Sequence, residues 1–66
     1  MTVNVNNIQK NILEESTLAS LIMQLNIASK GIAIAVNNEI VTKDKWPDTL
    51  VKELDQITII QATQGG

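Results

Sequence analysis

The 66-residue sequence predicts an α+β fold in which one β-sheet packs against one main helix. Three observations carry that expectation. Short runs alternate apolar and polar residues near both ends and in the middle of the chain. One stretch, Leu18 to Leu25, carries helical spacing instead. Asn-Asn pairs at 6–7 and 37–38 supply residues that tolerate the positive φ of tight hairpin turns.

Taken in order, Val3 and Val5 alternate with Thr2, Asn4 and Asn6, the period of a half-buried strand. After Asn6-Asn7 the chain returns as a strand from Ile8 to Leu13, with Ile8, Lys10 and Ile12 on one face. Ser16 or Thr17 is a natural N-cap, and Glu14-Glu15 brings negative charge toward the positive end of a helix. Leu18, Leu21, Ile22 and Leu25 then form one apolar stripe, flanked by Ala19 and Met23. A helix this short is unstable unless packed, so the stripe reads as core rather than as a partner-binding surface.

Residues 26–31 form the exit loop. Ile32, Ile34 and Val36 alternate with Ala33 and Ala35, placing large side chains toward the helix and small ones outward. Asn37-Asn38 repeats the turn signal, and Glu39-Ile40-Val41 is a short strand. Between Thr42 and Leu54 the pattern is irregular. Pro47 biases Trp46 toward extended backbone and argues against an ordinary helix. Trp46 reads as a core anchor with Leu50 and Leu54 beneath it. A last strand spans Ile57 to Ala62, with Ile57 and Ile59 on the helix side. Thr58, Ile60 and Ala62 then share the open face, a candidate docking surface for a partner.

Composition removes whole classes of function. The net charge is −2, and the five basic residues, all lysines, do not cluster. With Trp46 the only aromatic, a nucleic-acid footprint is missing. The longest apolar run, Ile32 to Val36, is too short to span a bilayer, and the first residues lack the pattern of a signal peptide. The chain contains no His and no Cys. It therefore offers no thiol nucleophile, no side chain titrating near neutrality at its ordinary pKa, and no metal-ligand cluster. These features predict a cytoplasmic protein without intrinsic catalysis, bound cofactor, metal, nucleic-acid partner or membrane partner.

The chemistry is expected at the end of the chain. Thr63-Gln64-Gly65-Gly66 follows the most β-prone run in the sequence. Without Cβ atoms, Gly65 and Gly66 can enter a narrow active site of another protein, presenting the Gly66 carboxylate. Chain ends are commonly loose, so the tail carries weight only with what precedes it. The expected division is a domain at 1–62 and a flexible tail at 63–66.

Hairpin, helix, later strands and Gly65-Gly66 together resemble the ubiquitin-like β-grasp proteins, and among them the ThiS family of sulfur carriers in thiamine biosynthesis. The likeness runs the length of the chain. It includes Val3-Asn4-Val5-Asn6, Thr17-Leu18 with Leu21-Ile22, Ile34-Ala35-Val36-Asn37 with Glu39-Ile40-Val41, Trp46, and Asp55-Gln56-Ile57. The sequence departs from the family pattern at Glu53-Leu54-Asp55, where a glycine turn is frequent, and at Ile60, near which an aromatic is common.

The resemblance implies a mixed sheet of four to five strands, with the last strand central and parallel to the first. It also implies that a ThiF-like adenylating enzyme uses ATP to form an acyl-adenylate at Gly66. Sulfur originating at a cysteine desulfurase then yields a thiocarboxylate, and a ThiG-like thiazole synthase receives that sulfur. The rival expectations are a molybdopterin-synthase small subunit, a ubiquitin-like modifier and a non-covalent binding module.

Overall fold

The computed structural model describes residues 1–61. Ala62 and the tail expected at 63–66 lie outside the described residues. The elements run β1 (Thr2–Val5), β2 (Ile8–Asn11), α1 (Leu18–Gln24), β3 (Ile32–Val36), β4 (Glu39–Val41), a 3-10 helix (Lys43–Asp48) and β5 (Gln56–Gln61). The five strands form one sheet in the order β2-β1-β5-β3-β4. The last strand in sequence is thus central, parallel to β1 and antiparallel to β3. That is the mixed topology the family resemblance implied.

Both hairpins turn through asparagine. Asn6 and Asn7 have φ of 52° and 68°, and Asn37 and Asn38 have 51° and 71°. These positive values suit the turns whose twist matches that of the flanking strands. Gly31, at φ 74°, delivers the exit loop into β3. Thr17 is the N-cap of α1, its hydroxyl accepting from the Ser20 amide at 3.1 Å. Both glutamates lie before that cap, and the first turn holds no acidic residue. Glu14 instead pairs with the Met1 amino group at 3.3 Å, so the expected charge–dipole contribution at the helix is not made there.

The stripe of α1 meets the inner sheet face. Leu18 and Leu21 are fully buried together with Val3, Ile34 and Ile57. Removing each such side chain from water contributes about 1.5–3 kcal/mol. Ile12 is also buried, whereas Ile8, at the uncovered margin of the sheet, is 58% exposed.

Two expectations for residues 42–54 are corrected. Trp46 lies within the 3-10 helix rather than in extended backbone. Its ring is buried, and its indole N–H donates to the Val41 carbonyl at 3.0 Å. Burying an aromatic ring outweighs the pre-proline bias, and Pro47 has no amide hydrogen to leave unpaired.

Leu50 and Leu54 do not pack beneath Trp46; they are 59% and 62% exposed, and Val51 is buried instead. The reason is an extended crossing at the helix start. Leu18 donates to the Thr49 carbonyl at 3.0 Å, Val51 donates to the Ser16 carbonyl at 2.8 Å, and Thr17 bridges Leu50. Extended backbone sends Leu50 and Val51 to opposite sides. Leu54 sits in a left-handed turn at φ 66°.

Candidate functional site

The site is built on β5, which is held on both flanks by ladder pairing and at two points by side chains. At its start, Asn37 Oδ1 accepts from the Gln56 amide at 3.0 Å. Asn37 Nδ2 donates to Asp55 Oδ1 at 3.1 Å. Farther along, β1 has already turned away. There Asn6 Oδ1 accepts from the Ile59 amide at 2.8 Å, and Asn6 Nδ2 donates to the Ile59 carbonyl at 3.3 Å. The Asn6 amide copies the donor and acceptor of a strand residue. The same asparagines that make the hairpins therefore clamp the strand that leads to the chain end. Sequence reading gave them only the turn role; their repeated placement before a second Asn was the available signal.

Alternation along β5 places Ile57 and Ile59 toward the helix and Thr58 and Ile60 on the open face. The register puts Ile60 opposite Ala33 and Thr58 opposite Ala35. Ala35 also lies opposite Ile40 of β4. Ile60 and Ile40 are 51% and 60% exposed, while Ala35, shielded between larger neighbours, is buried. Thr58 and Ile60 thus occupy the face expected of them. Ile40 joins them, although the sequence reading gave it no surface role.

Toward the other edge the open face carries Thr2, Asn4, Gln9, Asn11 and Gln56, which are neutral polar residues. No charged side chain projects from the open face of the described strands, although the chain holds twelve charged residues in all (five basic and seven acidic). A half-apolar surface free of charge has the composition of an interface core. Water need not be stripped from any ion when a protein covers it.

Ala62, Thr63, Gln64, Gly65 and Gly66, the other expected site residues, lie outside the described residues. Among the described residues, no group of three or more His, Cys, Asp or Glu is placed to hold a metal. No described helix is long and apolar enough to cross a membrane.

Comparison with known proteins agrees with this arrangement. A family model described as the ThiS family matches residues 3–66. The sulfur carrier protein ThiS of Escherichia coli (strain K12) is 36% identical over 50 residues, covering 76% of each chain. The crystal structure of a thiamine biosynthesis protein (ThiS) from Geobacter metallireducens covers all of both chains with a TM-score of 0.86 at 22% identity. A solution structure of a thiamine biosynthesis protein from the same organism gives 0.80, also at 22% identity, covering 100% of this chain and 88% of that one. At that identity the two structures bear on the fold, which is the shared β-grasp.

Proposed function

The chain belongs to the ThiS family, and on that premise we propose that it is a sulfur carrier of thiamine biosynthesis, working in the cytoplasm. The observation that carries the reading is the extent of the family match, which runs through Gly65-Gly66 to the last residue. In support, the strand that leads to those glycines is central and clamped. One of its faces is uncharged and open to a partner.

Gly66 is the reacting residue. Its carboxylate, an anion at neutral pH, resists nucleophiles. In the active site of a ThiF-like enzyme, a carboxylate oxygen attacks the α-phosphorus of ATP, and pyrophosphate leaves. The resulting acyl-adenylate exchanges an oxyanion for a good leaving group. A persulfide sulfur originating at a cysteine desulfurase then attacks the acyl carbon and displaces AMP, giving an acyl disulfide. A partner's thiol attacks the outer sulfur of that disulfide, which releases the thiocarboxylate and leaves the partner's sulfurs joined as a disulfide. Gly65 and Gly66 have no side chains to obstruct the attack on the acyl carbon, and Thr63 and Gln64 provide the remaining reach. The sulfur passes to a ThiG-like thiazole synthase. Thr58, Ile60 and Ala62, joined by Ile40, form the docking surface for the enzymes that hold the carrier. Its own residues supply presentation, and its partners supply catalysis.

Intact-mass spectrometry tests this reading after incubation with a ThiF-like enzyme, ATP and a desulfurase-derived sulfur source. The expected product differs by exchange of one oxygen for sulfur, located at Gly66 by fragmentation. An unchanged mass, with an enzyme competent on its own carrier, would refute the assignment.

A further inference from the structure

On the helix side of the sheet lies a groove that the open face does not use. It runs between α1 and the 3-10 helix, with the exit loop at one end, and encloses about 330 Å³. Ile22, Ile27 and the ring of Trp46 line it, and Ala19 adds only a methyl group, which leaves the space open. The Trp46 indole N–H already donates to the Val41 carbonyl, so the ring offers the groove apolar surface. Met23, 77% exposed, and the exposed Pro47 complete the apolar lining. Among the described residues one charged side chain lines the groove, the exposed Lys43. Its ammonium makes no ion pair with a described carboxylate. Asp44, Lys45 and Asp48 of the same 3-10 helix do not line the groove, and α1 carries no charge.

We propose that this groove is a second docking site, for an apolar side chain flanked by a carboxylate on the protein that brings the persulfide. The proposal rests on the sulfur-carrier reading. Ligand pockets run from about 300 to 1,000 Å³. A groove at the lower end of that range suits one anchoring side chain of a protein rather than a cofactor. Methionine adapts its shape to such an anchor. Lys43 supplies the complementary charge: a partner carboxylate meets a cation that gives up no existing pair, and a charge at the rim steers the approach. The location fits the chemistry. Sulfur delivery to an acyl-adenylate brings a second protein to a carrier that the adenylating enzyme already holds. With Ile40, Thr58 and Ile60 on the opposite side of the sheet, both proteins can grip the carrier at once.

The test uses the full chain, a purified ThiF-like adenylating enzyme, ATP and a cysteine desulfurase. The carrier alone is labelled with nitrogen-15, and the indole signal of Trp46, its single tryptophan, reports on the groove. That signal should shift when the desulfurase joins the carrier–adenylating enzyme complex. Lys43→Glu and Met23→Asp, both at exposed positions, should release pyrophosphate during adenylation as the parent does. Each should raise the desulfurase concentration giving half-maximal thiocarboxylate formation about tenfold. Lys43→Arg should behave as the parent, and added salt should weaken the parent more than Lys43→Glu. If the parent is adenylated but its indole signal does not move, or both variants keep the parent's half-maximal concentration, the second site is overturned and the carrier reading stands. Equal losses in adenylation would give the groove to the adenylating enzyme, and sedimentation of the parent as a dimer that Met23→Asp dissociates would give it to a second copy. Either result overturns the proposal. A parent chain that is not adenylated by an enzyme competent on its own carrier overturns the carrier reading as well.

Discussion

Replacing Asn6 by glycine isolates the clamp on β5. Asn6 has two jobs: it adopts φ 52° in the hairpin turn, and its amide bonds Ile59 at 2.8 and 3.3 Å. Glycine adopts that φ without a steric penalty, so Asn6→Gly keeps the turn and deletes the amide. Two exposed hydrogen bonds at about 0.5–1.5 kcal/mol each would total about 1–3 kcal/mol. Because Asn6 is exposed, water re-solvates the freed Ile59 groups, and the lower end applies, about 1 kcal/mol. For a domain of this size that is a fall in Tm of roughly 4–8 °C.

The sharper readout is local. Exchange of the Ile59 amide should accelerate toward that of an unprotected residue, while Ile57, bonded by β1 backbone, stays protected. Asn6→Asp retains an acceptor for the Ile59 N–H and should recover part of the protection. An unchanged Ile59 exchange rate in Asn6→Gly would refute the clamp, whatever happened to Tm.

Leu21→Ala, at a fully buried stripe position, should cost about 2–5 kcal/mol in denaturant unfolding; a loss below 1 kcal/mol would put the core on another helix face. Leu54→Gly should stabilise by about 1 kcal/mol, since a left-handed leucine costs about 1–2 kcal/mol and this side chain is mostly exposed. A lower Tm in that variant would contradict the backbone assignment. Ile60→Asp should leave Tm nearly unchanged but weaken association with an adenylating enzyme about tenfold or more, by burying an unpaired carboxylate. Unaltered affinity, measured by calorimetry, would remove the open face from the docking surface.

Much of the fold was legible because its elements obey simple periods. Val3 and Val5, then Ile32, Ile34 and Val36, alternate cleanly, and Leu18, Leu21 and Ile22 can face only one way on a helix. Strand order was not in those periods. Alternation gives each strand two faces but says nothing of its neighbours, so the central place of β5 came from the family resemblance.

Residues 42–54 misled for a physical reason. Leu50 and Leu54 have helical spacing, yet the segment crosses the helix start in extended form and buries Val51 between them. Trp46 shows tertiary packing overriding a local proline bias. At the site, Thr58 and Ile60 were readable by counting along one strand. Ile40 was not, because its role depends on the register between β3 and β4. The clamps of Asn6 and Asn37 likewise need the parallel and antiparallel neighbours of β5 in place.

The central claim is that this small sheet presents one reactive acyl group to enzymes that do the chemistry. Complementation of a strain that lacks its own ThiS-type carrier tests it most directly. The full chain should restore growth without thiamine, and a folded variant lacking Gly65 and Gly66 should not. Growth supported by that shortened variant would contradict the account.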